Sequence, residues 1–143
     1  MDDPFDLARF VEAQEGSYVS ARQELRSGRK LRHWMWFMFP QVDGLGSSRT
    51  ARQYAIRSKG EARAYIAHPL LGARLVELTA LVVGHAGMNI EAIFGHTDAL
   101  KFRSSMTLFH GIAPEQSLFQ DAIDQFYDGE PDPQTVRWLQ RER

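Results

Sequence analysis

Between Pro69 and Gly84 apolar residues recur at Leu71, Leu75, Leu78 and Val82, spaced by four, three and four, and Leu70, Val76, Leu81 and Val83 widen the stripe to much of a helix circumference. A helix that is apolar over most of its surface must be covered over most of its surface. This stretch therefore predicts a central helix at about 69–84, with other helices packed round it.

Helix punctuation recurs along the rest of the chain. Asp3-Pro4 is a cap followed by proline at a first helical position, and Leu7, Phe10 and Val11 then share a face until Gly16. Ser17 opens a second helix that passes Val19 and Leu25 and stops at Gly28. Ser58 and Glu61 have capping-box spacing, and the helix through Tyr65 and Ile66 must end at His68-Pro69, because the residue before proline avoids α geometry. A short helix is expected at Ile90–Phe94, closed by Gly95, another from Asp98 to about His110, and another from Pro114. In this last helix Leu118, Ala122 and Phe126 form one row, with Phe119, Ile123 and Tyr127 beside it. Asp132-Pro133 repeats the cap signature for a terminal helix carrying Val136 and Trp138. Only Trp34–Phe39 has the aromatic density of a buried strand, and a buried helical turn fits it equally. The expected fold is all-α: a compact bundle of about seven to nine short and medium helices, in one domain spanning 1–143.

Bulk properties narrow the function classes. The absence of cysteine excludes disulfides, thiolate metal sites and a cysteine nucleophile. The acidic start of the chain is unlike a secretion signal, and the longest apolar runs fall short of the roughly 20 residues that cross a bilayer. A cytoplasmic protein without a membrane partner is expected. With a net charge of −1 the molecule as a whole has no electrostatic reason to seek nucleic acid. Locally, Arg22, Arg26, Arg29, Lys30 and Arg32 face only Glu24 within 22–33, whereas 115–132 holds six carboxylates and no base. These are either solvated faces, which could meet each other within the fold or across a homo-oligomer, or, for the basic one, a phosphate site.

Two segments carry residues suited to ligand chemistry. Lys30 to Gln41 places His33, Trp34 and Trp36 beside cations, which suits a clamp for a planar anionic ligand as well as it suits plain core packing. Lys101, Ser104 and Ser105 lie within one helical turn, while Phe102, Met106 and Phe109 point to the core. A lysine beside serines can bind a phosphoryl group, and serines bonding the preceding turn are the structural alternative. Only three lysines accompany 14 arginines, so a lysine here stands out as a compact, titratable cation. The expected ligand-binding set is His33, Trp34, Trp36, Gln41, Lys101, Ser104 and Ser105, with Arg74 a more distant addition; no catalytic residue is assigned. Gly44-Leu45-Gly46 lacks the third glycine of a dinucleotide fingerprint, and the five histidines lack metal-ligand spacing, so neither cofactor nor metal is expected.

Asp3-Pro4-Phe5-Asp6-Leu7, Arg9-Phe10, Ala13-Gln14, His33-Trp34-Met35-Trp36, Phe39-Pro40-Gln41 and Gly44-Leu45-Gly46 together resemble the bacterial family catalogued as domain of unknown function 1810. Glu61-Ala62, Ala64-Tyr65, His68-Pro69, Leu71-Gly72, Phe94-Gly95 and the run from Asp98 through Lys101 to Ser104-Ser105-Met106-Thr107-Leu108-Phe109 extend the likeness over about residues 3–109. The resemblance implies a compact helical fold in a bacterial cytosol and carries no activity to transfer. Members are sometimes labelled calpastatin, an inhibitor that works through largely disordered segments, whereas this chain has core-forming helices throughout. The expected function is a pocket for an anionic, nucleotide-like metabolite, in a binding protein or an enzyme. The alternative is a helical interaction domain that docks partners or a second copy.

Overall fold

Caps and stops read from the sequence mark several helix boundaries in the computed structural model, which describes residues 2–141. Its helices are α1 (Ala8–Glu15), α2 (Tyr18–Ser27), α3 (Met35–Met38), α4 (Arg49–Gln53) and α5 (Lys59–Ala67), then α6 (Leu71–Val83), α7 (Ile90–Phe94), α8 (His96–Ile112), α9 (Ser117–Tyr127) and α10 (Pro133–Arg141). The fold is all-α; the one extended pairing among the described residues is an isolated parallel bridge between Val42 and Ile56. Among the described residues the ten helices exceed the expected number because two short ones stand in the middle of the chain. The aromatic stretch at Trp34–Phe39 is the single turn of α3, and Ser48 caps α4 by accepting from the N–H of Ala51 at 3.1 Å.

Three helix starts differ from expectation. Asp3 does cap α1, accepting from the N–H groups of Leu7 and Ala8 at 2.8 and 2.9 Å, but a turn through Pro4 and Phe5 and a left-handed Asp6 (φ +51°) delay the helix. Pro114 likewise lies in a turn, and α9 starts only at Ser117. In α8 the helix begins before Asp98, directly after Gly95. The capping box at Ser58 is half formed: its hydroxyl accepts from the N–H of Glu61 at 3.1 Å, but the Glu61 carboxylate turns to the N–H of Arg57 and to Arg9 instead.

The stripe on α6 is buried as its periodicity requires: Leu71, Leu75, Leu78 and Val82 lose all exposure. The helix packs on α2, α5 and α9. Its axis turns 82° from that of α5, and the contact is so close that a Cβ at Gly72 would lie 2.0 Å from the Ile66 carbonyl oxygen. Beside it α8 buries Ala99, Phe102, Met106, Leu108 and Phe109, with Phe102 stacked on Phe94 at 4.9 Å and edge-on to Phe39 at 5.1 Å. A polar knot crosses this core. The buried Gln14 amide donates to the Phe37 carbonyl at 2.7 Å and to the Tyr65 hydroxyl at 3.1 Å, and accepts from Arg74 at 3.2 Å. Burial raises the Tyr65 phenol well above its ordinary pKa, so it stays a neutral partner in that knot. No single helix among the described residues is long and apolar enough to cross a membrane.

Among the described residues no ion pair joins the basic and acidic stretches. Arg22 pairs with Glu77, Lys30 with Asp98 and Arg32 with Glu24, none of them in 115–132.

Leu75 and Phe119 are fully buried, whereas Phe126 is only partly so, although its row on α9 ranks it with the core by sequence. Leu75→Ala is therefore expected to cost about 2–5 kcal/mol and Phe119→Ala about 3–5 kcal/mol, with Phe126→Ala costing less than either. Urea unfolding of the three variants measures this, and equal losses at Phe119 and Phe126 would contradict the packing described.

Candidate functional site

The first of the two segments is organised by a buried carboxylate. Gly28 ends α2 in the left-handed conformation (φ +83°), and the chain then folds back over Glu24. One oxygen of Glu24 accepts from the N–H groups of Leu31 and Arg32 at 2.7 and 3.0 Å and from the Trp34 indole N–H at 3.0 Å; the other accepts from the Arg32 guanidinium at 2.8 Å. Burial acts to raise this carboxyl's pKa, but the two backbone N–H groups, Arg32 and Trp34 together outweigh it and hold it below its ordinary value of 4.5. Trp34 is thereby committed to the core, and Trp36, two residues on in α3, is left half-buried against α8.

The second segment meets the first through Asp98. One Asp98 oxygen lies 2.8 Å from the Lys30 ammonium and the other 3.4 Å from that of Lys101. Each lysine also stands over a tryptophan, Lys30 at 5.1 Å from the Trp34 ring and Lys101 at 4.5 Å from the Trp36 ring. Two of the chain's three lysines thus share one carboxylate, and Lys101 is the more exposed of the pair, at 22% against 8%.

At this junction lies an open cavity of about 300 Å³. The α8 wall is Thr97, Leu100, Lys101 and Ser104, which recur at helical spacing on one face. Trp36 and Gln41 form a second wall, and Leu45, Gly46 and Ala51 a third. The bridge at Val42 and Ile56, with N–H to O distances of 3.0 and 2.8 Å, closes the base of that excursion. Gly46 packs so tightly that a Cβ there would lie 2.7 Å from that of Ala51. Asp132 and Gln134, at the start of α10, complete the lining. The N–H of Asp132 donates to Thr107 of α8 at 2.9 Å, while its carboxylate caps α10 by accepting from the Thr135 N–H and hydroxyl.

Of the residues singled out by sequence, Trp36, Gln41, Lys101 and Ser104 come together here. The other four lie elsewhere. His33 is exposed outside the cavity, and Trp34 is core. Arg74 bonds Gln14 and covers the Tyr18 ring at 4.3 Å. Ser105, one residue on from Ser104, is rotated by a helical step into the interior, where its hydroxyl is buried without a partner among the described residues. Ser104 donates to the Leu100 carbonyl at 3.1 Å, the structural role expected of a helix serine. Sequence reasoning missed Thr97 and Leu100, which the spacing from Lys101 and Ser104 places on the same face, and Asp132 and Gln134, which only folding brings near.

A larger depression, about 500 Å³, lies at Arg9, Arg57 and Ser58, but its chief cation is spent. A guanidinium has five N–H donors. In Arg9 they serve the carbonyls of Gln53, Phe5, Asp6 and Ala55 and the Glu61 carboxylate, so none remains for a ligand.

Because the Glu24 carboxyl is held below 4.5, it stabilises the fold above its unfolded pKa, and that contribution is lost as the pH falls through the lower, folded value. Glu24→Gln is expected to cost about 1–3 kcal/mol near neutral pH, since it leaves buried donors unpaired. In urea unfolding followed by tryptophan fluorescence, the gap between variant and wild type should narrow below pH 4.5. A gap that stays constant into strong acid would contradict the assignment.

The family described as "Protein of unknown function (DUF1810)" matches residues 4–139 of the chain, which belongs to it. The match runs well past the blocks that end at Phe109 and takes in most of α10. The crystal structure of the conserved hypothetical protein Rv1873 from Mycobacterium tuberculosis is 51% identical over 96% of this chain and 99% of that one, with a TM-score of 0.95. No curated protein matches the chain in sequence.

Proposed function

We propose that this DUF1810 member binds a small anionic metabolite with a planar, nucleotide-like part in the cavity beside Trp36 and Lys101. The observation that carries the reading is the sharing of Asp98. One carboxylate between two ammonium groups leaves a positive charge over, and the more exposed of the two, Lys101, stands in the cavity wall. The remaining lining suits the rest of such a ligand. Leu45, Leu100 and the Trp36 ring offer apolar and aromatic surface, and Gln41 and Gln134 offer amides. Asp132 has one oxygen engaged in capping α10, and its second suits a donor such as a ring amine. At about 300 Å³ the cavity is at the small end of ligand pockets, which run from about 300 to 1,000 Å³. Ser104 spends its proton on a carbonyl and has no base bonded to it among the described residues, which favours binding over nucleophilic chemistry at that hydroxyl.

A ligand that binds only the native state raises the melting temperature with concentration. Adenosine 5′-monophosphate is expected to do so with the wild type. Lys101→Met should abolish the shift while leaving the free protein folded, since the aliphatic stem over Trp36 is largely retained. Trp36→Leu should weaken the nucleotide more than inorganic phosphate. Lys59→Met, on α5 and outside the cavity, should behave as wild type. Equal responses of Lys101→Met and Lys59→Met, or no shift of the wild type by any anion, would overturn the reading in favour of a helical interaction domain.

A further inference from the structure

The cavity adjoins a second concavity of about 250 Å³, with which it shares Leu45 and Gln134. The far wall is α10, whose Arg137 and Arg141 lie four residues apart and so share a face. Opposite them runs the loop Val42–Leu45, turned by Gly44 at φ +90°. Between the two arginines Trp138 is buried, and its indole N–H donates to Asp43 at 2.9 Å, pinning the helix to the loop. The arginines are therefore presented from an anchored element.

These two arginines differ from those that serve the fold. Arg9 uses every donor internally, Arg57 bonds the Arg52 carbonyl, and Arg103 bonds the Glu130 carbonyl at 2.9 Å. Among the described residues, no carboxylate lies within 4.0 Å of Arg137 or Arg141, and no hydrogen bond occupies either guanidinium. Among the described residues Asp43 is the one acid lining the concavity, and one of its oxygens is taken by Trp138. Two planar forks open on one trough, next to a cavity with a lysine on its wall, match phosphoryl oxygens more closely than they match an isolated carboxylate.

We infer that the ligand is a nucleoside diphosphate or a metabolite of that chemistry, with its planar part against Trp36, its first phosphoryl group at Lys101 and its second between Arg137 and Arg141. This rests on the reading of the Trp36–Lys101 cavity as a ligand site.

The test is calorimetric titration of the intact protein with adenosine, its 5′-monophosphate and its 5′-diphosphate at one fixed ionic strength, because exposed charges are screened by salt. For the wild type the second phosphoryl group should tighten binding at least about tenfold, the equivalent of one charge-assisted contact. Arg137→Gln with Arg141→Gln removes two exposed side chains and should keep the fold and the monophosphate affinity while erasing that gain. Lys101→Met should weaken both nucleotides. If the diphosphate binds no tighter than the monophosphate, or the double variant keeps the full gain, the arginine site is overturned while a Lys101-dependent affinity leaves the cavity reading standing. Binding of neither nucleotide in a Lys101-dependent way would overturn both.

Discussion

Glu24 brings a negative charge into the interior with four donors already aimed at it, all of them supplied by residues 31–34. An unpaired carboxylate in that position would cost several kcal/mol, so the segment is stable only in the conformation that surrounds it. That conformation draws the Trp34 ring inward, and the single turn of α3 then leaves Trp36 turned to α8. The cavity wall formed by Trp36 and Gln41 depends on this one carboxylate.

A second carboxylate, Asp98, joins that wall to α8, by a different arithmetic. Glu24 has one formal countercharge, whereas Asp98 is divided between Lys30 and Lys101. Lys30 is nearly buried and also donates to the Arg32 carbonyl, so it is held in the framework; the surplus charge belongs to Lys101. The arginines divide in the same way. Several tie loops to helices by bonding carbonyls, which a forked, multi-donor group does well, while Arg137 and Arg141 keep their donors outward. Which cations are free for a ligand follows from these bonds and not from local charge density: in the basic stretch at 22–33, densest in charge, Arg22, Lys30 and Arg32 are committed to Glu77, Asp98 and Glu24.

Membership of the family places most of this arrangement inside the matched span, which ends two residues after Arg137 and one after Trp138. The near-complete overlap with the mycobacterial structure makes the packing of α10 on the rest of the chain part of the shared fold. Through Thr107, Asp132 and the bond from Trp138 to Asp43, α10 closes both halves of the trough.

Local patterns in the sequence determined the helices, because apolar periodicity and capping are interactions within a few residues. The α6 stripe, the stop at Gly28, the break at His68-Pro69 and the cap at Asp132 are all where those rules put them. Where a cap competed with tertiary partners the rules failed: Glu61 left its capping box for Arg9, which lies 52 residues away in the chain. The candidate site was legible as two unusual segments, but only half of the residues singled out line the cavity, since neighbours in sequence such as Trp34 and Trp36, or Ser104 and Ser105, are separated by rotation into core and cavity. Asp132 was legible only as a cap, and Gln134, Arg137 and Arg141 gave no local signal. Only the docking of α10 on α8 and on the loop at Asp43 decided their place, because that docking depends on contacts between residues up to 95 positions apart.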